Sequence, residues 1–212
     1  MIFIFNIAIF QSLLPLLYFW YIRKNIIQEV RPILPFITLC FIAGIYEFVF
    51  TAQLNINLIP WYFIYDILSF FTILYFFYNL LDKKNKGFYF ISALLYFVLF
   101  YIAVKNHNSD NYLSQVSYLV LFTTFFIVVS SLVWFKKVST QTIVIPLMQS
   151  PNFYFVFGFL SYYTGTIVLF LLSNYIHQED ISNFVNYWII NVFFNVLHKS
   201  LLIIGLRKSL KK

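Results

Sequence analysis

Four ionisable side chains fall inside long apolar segments of this 212-residue chain, and their chemistry is the first clue to function. Glu47, Asp66, His198 and Lys199 are each surrounded in sequence by Phe, Ile, Leu and Tyr. An ionisable group within a bilayer costs at least about 2.5–3.5 kcal/mol on insertion scales. Each of the four therefore needs a partner or a wet cavity, and such groups are typical of a proton or cation site.

The two carboxyls are expected at similar depth. Glu47 lies seven residues before the end of one apolar segment, and Asp66 lies eight residues after the start of the next. At 1.5 Å per residue of helix, both side chains would lie about 10–12 Å below the same surface. Two carboxyls in one low-dielectric site cannot both ionise cheaply, so the pair is a candidate proton site or half of a cation site.

The last apolar segment carries a polar stripe. Asn191, Asn195, His198 and Lys199 follow one another at steps of one, three or four residues, a spacing that places them along one side of a helix. A polar stripe on a membrane helix faces the bundle interior. Tyr162, from the preceding segment, is expected at mid-depth beside this stripe. These residues are predicted to line one internal polar cavity.

Structural explanations stand beside the functional ones. Lys199 lies about seven residues from the end of its segment, so its stem could extend toward the surface and expose the ammonium. Glu47 and Asp66 could serve only as interhelical hydrogen-bonding groups. The asparagines could likewise make packing contacts. Neither the histidines nor the single cysteine, Cys40, matches a metal-ligand spacing, so no metal or cofactor is expected.

The elements that must position these residues are membrane spans. Hydrophobic residues make up 62% of the chain and charged residues 10%, against about 25% charged in soluble domains. A helical span needs about 20 apolar residues. The sequence therefore predicts an all-α polytopic membrane protein, a single transmembrane domain over 1–212 with seven helices. The predicted spans are 2–22, 33–54, 58–81, 88–104, 115–135, 153–176 and 184–206.

The basic residues predict the orientation. Of the 14 Lys and Arg residues, 12 fall in alternate connectors and at the C-terminus. Cytoplasmic loops carry an excess of basic residues, so the N-terminus is expected outside and the C-terminus in the cytoplasm of a bacterial inner membrane. The net charge of +7 is explained by this asymmetry and by attraction to anionic lipids. Nucleic acid is not expected as a partner.

Two segments carry a first resemblance. They read SPNFYFVFGFLSYYTGTIVLFLLSNYI, over 150–176, and NYWIINVFFNVLHKSLLIIGL, over 186–206. They resemble a family of small seven-helix membrane proteins from Bacteroidota-type bacteria, whose function is unknown. The matching residues are Pro151, Phe153, Gly158, Tyr162, Gly165, Trp188, Ile189, Ile190 and Asn195. The resemblance implies the seven-helix fold and no activity.

A second resemblance is to microbial rhodopsins. Asn195 precedes Lys199 by four residues, where that family has an Asp and the lysine that binds retinal. Asp66 lies where a counter-ion could sit, and Phe159 with Tyr162 forms an F-x-x-Y arrangement. The chain departs from the family in having no Arg beside Asp66 and no Trp or Pro in the sixth span's motif. The resemblance implies a retinal-binding photoreceptor.

Three functions follow as expectations. The first is a non-enzymatic sensor or interaction subunit that acts through a protein partner or as a homo-oligomer. The second is a small proton- or cation-linked transporter or channel that uses the carboxyl pair and the polar stripe. The third is an intramembrane enzyme, which the sequence disfavours because it shows no nucleophile with an adjacent base. Retinal binding is a further alternative.

Overall fold

The computed structural model is all-α, as predicted. It describes the backbone of residues 2–51, 54, 59–105, 112–140, 146–179 and 181–210, and the side chains of 9–50, 54, 60–105, 116–140, 146–172 and 187–210. In these ranges there are seven α-helices. They are α1 (Ile2–Ile22), α2 (Leu34–Tyr46), α3 (Ile59–Leu80), α4 (Lys86–Lys105), α5 (Tyr112–Ser139), α6 (Pro151–Glu179) and α7 (Ile181–Lys208).

Within the described residues, six stretches are long and apolar enough to cross a membrane, which indicates a multi-pass membrane protein. They comprise the α2 region, Gln28–Phe50, together with most of α3 to α7. Large apolar side chains face outward, as on α4, where Phe90 is 70% exposed. Other aromatic residues pack inside the bundle, where the rings of Phe70 and Tyr96 stack with their centroids 3.9 Å apart.

The packing order places α7 between α1 and α6. The α6–α7 contact is the most extensive in the bundle, α5 packs on the other side of α6, and α1 also contacts α2. A third group of contacts joins α3 to α2, α4 and α5. Gln11 ties α1 to α7 because its Nε2 donates to the carbonyl oxygen of Val196, at 2.9 Å, and to Oγ of Ser200, at 2.8 Å.

Several boundaries differ from the predicted spans. The second span starts with a 3₁₀ helix, Gln28–Ile33, and ends in a π-helical turn, Glu47–Thr51. Helices α6 and α7 are longer than predicted and extend into the expected connector at 177–183. The connector contains neither Gly nor Pro, so nothing in its sequence ends a helix early. The connector between the second and third predicted spans, 55–57, lies outside the described residues.

The basic connectors contact one another in two pairs. The backbone N–H of Ile27, after α1, donates to the carbonyl of Ser209, after α7, at 3.1 Å. Lys137, at the end of α5, forms an ion pair with Asp82, after α3, at 2.6 Å. These two contacts join the clusters that the sequence analysis assigned to one membrane face.

Glycines allow the close contact of α6 and α7. A Cβ atom at Gly205 of α7 would overlap the ring of Phe155 on α6, lying 2.9 Å from its Cδ1 and closer still to its Cε1. Phe155 is fully buried, so its ring has no free space to move into. Gly205 therefore sets the distance between the two helices.

We predict that Gly205→Ala lowers the free energy of unfolding by about 1–3 kcal/mol, the usual cost of overpacking. Thermal denaturation in detergent measures it. The matched control is Gly87→Ala, because no atom lies within 4 Å of a Cβ at Gly87. That variant should be neutral or slightly more stable, since Ala is the better helix former. Equal stability of the two variants would contradict this packing of α6 against α7.

Candidate functional site

A small internal cavity brings together most of the predicted polar residues. Its volume is about 60 Å³. Side chains from α2, α3, α5, α6 and α7 line it: Phe36, Tyr65, Asp66, Val120, Tyr162, Tyr163, Phe170, Asn195, His198 and Lys199. Five of the seven residues singled out from the sequence are therefore neighbours in space, namely Asp66, Tyr162, Asn195, His198 and Lys199.

Helix α7 provides three of these residues from one side. His198 and Lys199 are 2% and 4% exposed, and Asn195 lies one turn before them. The absence of a side chain at Gly158, on α6, leaves room for the imidazole, because a Cβ there would lie 3.0 Å from Cδ2 of His198. The imidazole packs against aromatic rings, with its centroid 5.2 Å from that of Phe159 and 5.5 Å from that of Tyr162.

Three polar atoms of residues that line the cavity have no hydrogen-bond partner among the described residues. They are Oδ2 of Asp66, Oδ1 of Asn195 and Nε2 of His198, and all three are buried. A buried polar atom without a partner costs about 1–3 kcal/mol. Most buried polar groups in native proteins are hydrogen-bonded to protein or to ordered water. The arrangement is suited to water, a proton or a small cation that the three atoms would share.

Lys199 is turned into the bundle and does not reach toward either end. Its Nζ lies 2.8 Å from Sγ of Cys40, on α2. It also lies 5.4 Å from the centroid of the Phe36 ring, close enough for a cation–π contact. The sequence analysis did not place Cys40 beside Lys199, and Phe36 gave no signal because it is one of 29 phenylalanines.

Glu47 lies near this cluster without lining the cavity. It starts the π-helical turn after α2 and interacts electrostatically with Lys199. Within the described part of the chain the two groups make no direct ion pair. Both Glu47 and Asp66 interact electrostatically with Tyr62, but among the described residues no hydrogen bond joins the two carboxyls. The expected facing of the two carboxyls therefore stays a prediction.

Asn191 does not line the cavity but bonds to a residue that does. The hydroxyl of Tyr162, on α6, donates to Oδ1 of Asn191, on α7, at 3.2 Å. This bond holds the Tyr162 ring, which lines the cavity, against α7. Asn191 therefore positions a wall residue and does not itself face the cavity.

The donor set does not form a multivalent metal site. Within the described ranges no three His, Cys, Asp or Glu residues converge closely enough to hold a metal ion. The cavity's charged and polar groups come instead as one carboxyl, one ammonium, one imidazole, one amide and tyrosine rings. Protons, water or a weakly bound monovalent ion suit such a mixture better.

No known protein family, curated protein or solved structure matches this chain. The function must therefore be inferred from the site itself.

We predict that Tyr162→Phe lowers the free energy of unfolding by about 0.5–1.5 kcal/mol, because the variant loses its bond to Asn191. The measurement is thermal or denaturant unfolding in detergent. Tyr101→Phe is the matched control, since Tyr101 is 64% exposed on α4. A loss of stability as large in the control would show that the effect is not specific to the α6–α7 bond.

Proposed function

We propose that the chain is a non-enzymatic membrane protein, a small transporter or channel that binds a proton in its internal cavity and carries it across the membrane. One observation carries the proposal: the buried, unpartnered atoms of Asp66, Asn195 and His198 around one cavity. Ionisable residues inside a membrane bundle commonly mark proton or ion pathways.

Charge balance supports a single monovalent species. With both carboxyls ionised and Lys199 charged, Glu47, Asp66 and Lys199 together carry one net negative charge. A net charge in low-dielectric surroundings is costly, and one added proton cancels it. Asp66 is the group that takes up this proton, because it lines the cavity and its Oδ2 has no partner among the described residues, whereas Glu47 has Lys199 nearby.

The volume of the cavity favours small species over an organic ligand. Pockets for drug-sized ligands measure roughly 300–1,000 Å³, whereas this cavity measures about 60 Å³. A water molecule needs at least about 10–15 Å³ of such space, so a few waters can connect the three polar atoms. The small volume of the cavity therefore favours proton binding over the retinal-binding alternative.

We predict that Asp66→Asn abolishes proton flux in reconstituted liposomes. An amide has almost the shape of the carboxyl but cannot carry the proton. The measurement is acidification of the liposome interior, followed with an enclosed pH-sensitive dye under an imposed proton gradient. Wild-type protein should acidify the interior faster than empty liposomes, and Asp66→Asn should match the empty liposomes.

Two further variants sharpen this experiment. Glu29→Gln removes an exposed carboxyl in the 3₁₀ helix before α2 and should leave the flux unchanged. Glu47→Gln should slow the flux without abolishing it, since Glu47 lies outside the cavity lining. Normal flux through a folded Asp66→Asn protein would disprove the role of Asp66. No flux from folded wild-type protein would favour a sensor that acts through a partner.

We also infer that the basic end of the bundle faces the cytoplasm and that the protein lies in a bacterial inner membrane. The supporting features are the basic clusters at one end and the positive-inside rule. Fusion of a fluorescent protein after Lys208 should give fluorescent cells, because that reporter folds in the cytoplasm. A periplasmic phosphatase fused after Lys105 should be active. The opposite pattern would reverse the orientation.

A further inference from the structure

Cys40 and Lys199 form a buried thiol–amine pair, of which the proposed proton site uses only the charge of Lys199. Cys40 is 1% exposed on α2, and Lys199 comes from α7, 159 residues away in the chain. The ring of Phe36, one turn before Cys40, covers the ammonium from a second direction. Both side chains are therefore held in place by the packing of separate helices.

The distance between the two reactive atoms is short. Nζ and Sγ are 2.8 Å apart, a separation typical of hydrogen bonds between nitrogen and oxygen, at about 2.7–3.2 Å. Sulfur is a larger atom than oxygen, so an N–H···S contact is ordinarily longer. One oxygen atom bonded to both could span this gap without any movement of the backbone.

We propose that Cys40 and Lys199 form a reversible covalent N–O–S bridge, with dioxygen as the oxidant. The thiol and the primary amine react with one O₂ molecule to give the N–O–S linkage and one water. One oxygen atom enters the bridge and the other leaves in the water, together with the thiol proton and one amine proton. Thiol and amine are oxidised, and dioxygen is reduced.

The surroundings suit this reaction. Dioxygen is apolar and partitions into hydrocarbon, so it can reach a pair that aqueous oxidants cannot. The unpartnered Nε2 of His198, 2% exposed in the same cavity as Lys199, provides an acceptor for the proton that the Lys199 ammonium loses before it reacts as an amine. The bridge would connect α2 covalently to α7 and replace the ammonium of Lys199 with a weakly basic nitrogen.

Intact-mass spectrometry of the full chain tests the bridge. Gain of one oxygen and loss of two hydrogens makes the oxidised chain about 14 Da heavier than the reduced chain, unlike a sulfenic or sulfinic acid on cysteine alone. Protein purified in air should show this added mass, and dithiothreitol should remove it. Peptide mapping before reduction should find the peptides of Cys40 and Lys199 joined.

Matched variants locate the bridge. Cys40→Ser and Lys199→Arg should abolish the added mass, and Lys208→Arg, at the end of α7, should retain it. Cys40→Ser changes only one buried atom, so it keeps the test valid if Lys199→Arg fails to fold. Air-exposed wild-type protein without the added mass, or with only a sulfenic or sulfinic acid on Cys40, would overturn the proposal. The mass measurement does not depend on proton flux, so the bridge and the transport function are tested separately.

Discussion

The interior of a membrane bundle tolerates ionisable groups only where they meet one another, and this constraint organises the whole site. Hydrocarbon outside the helices offers no hydrogen bonds, so Asp66, His198 and Lys199 must turn inward. They come from α3 and α7 and converge on one cavity with Tyr162 of α6. The unsatisfied atoms of Asp66, Asn195 and His198 are the part of this arrangement that packing does not explain.

Close packing of α6 and α7 makes the convergence possible. Small residues let membrane helices approach closely, and Gly158 and Gly205 do so here for His198 and Phe155. The bond from Tyr162 to Asn191 then fixes the rotation of the two helices relative to each other. On the other side of α7, Gln11 bonds to Val196 and Ser200. Helix α7, which carries the stripe, is thus held by both of its neighbours.

The sequence predicted the helices and the grouping on α7 because both depend on local periodicity. A stripe at three- and four-residue steps has one direction whatever the fold, and Asn195, His198 and Lys199 all line the one cavity. Contacts between helices depend on rotation and distance, which one chain segment does not encode. Cys40 beside Lys199 was therefore missed. The facing of Glu47 and Asp66 stays a prediction: Glu47 begins the π-helical turn, and both carboxyls interact with Tyr62.

The charge of Lys199, close to the π-helical turn at Glu47, affects how many protons the site binds. Such turns interrupt the regular backbone bonding and are frequent at functional sites. Glu47 interacts with Lys199, and Lys199 also faces the cavity of Asp66. The ammonium therefore balances the charge on Glu47 beside the cavity whose proton Asp66 takes up. If its nitrogen becomes part of an N–O–S bridge, Glu47 loses that balance and the site must bind a second proton to stay neutral. Oxidation at Cys40 would in this way set the proton occupancy of the site.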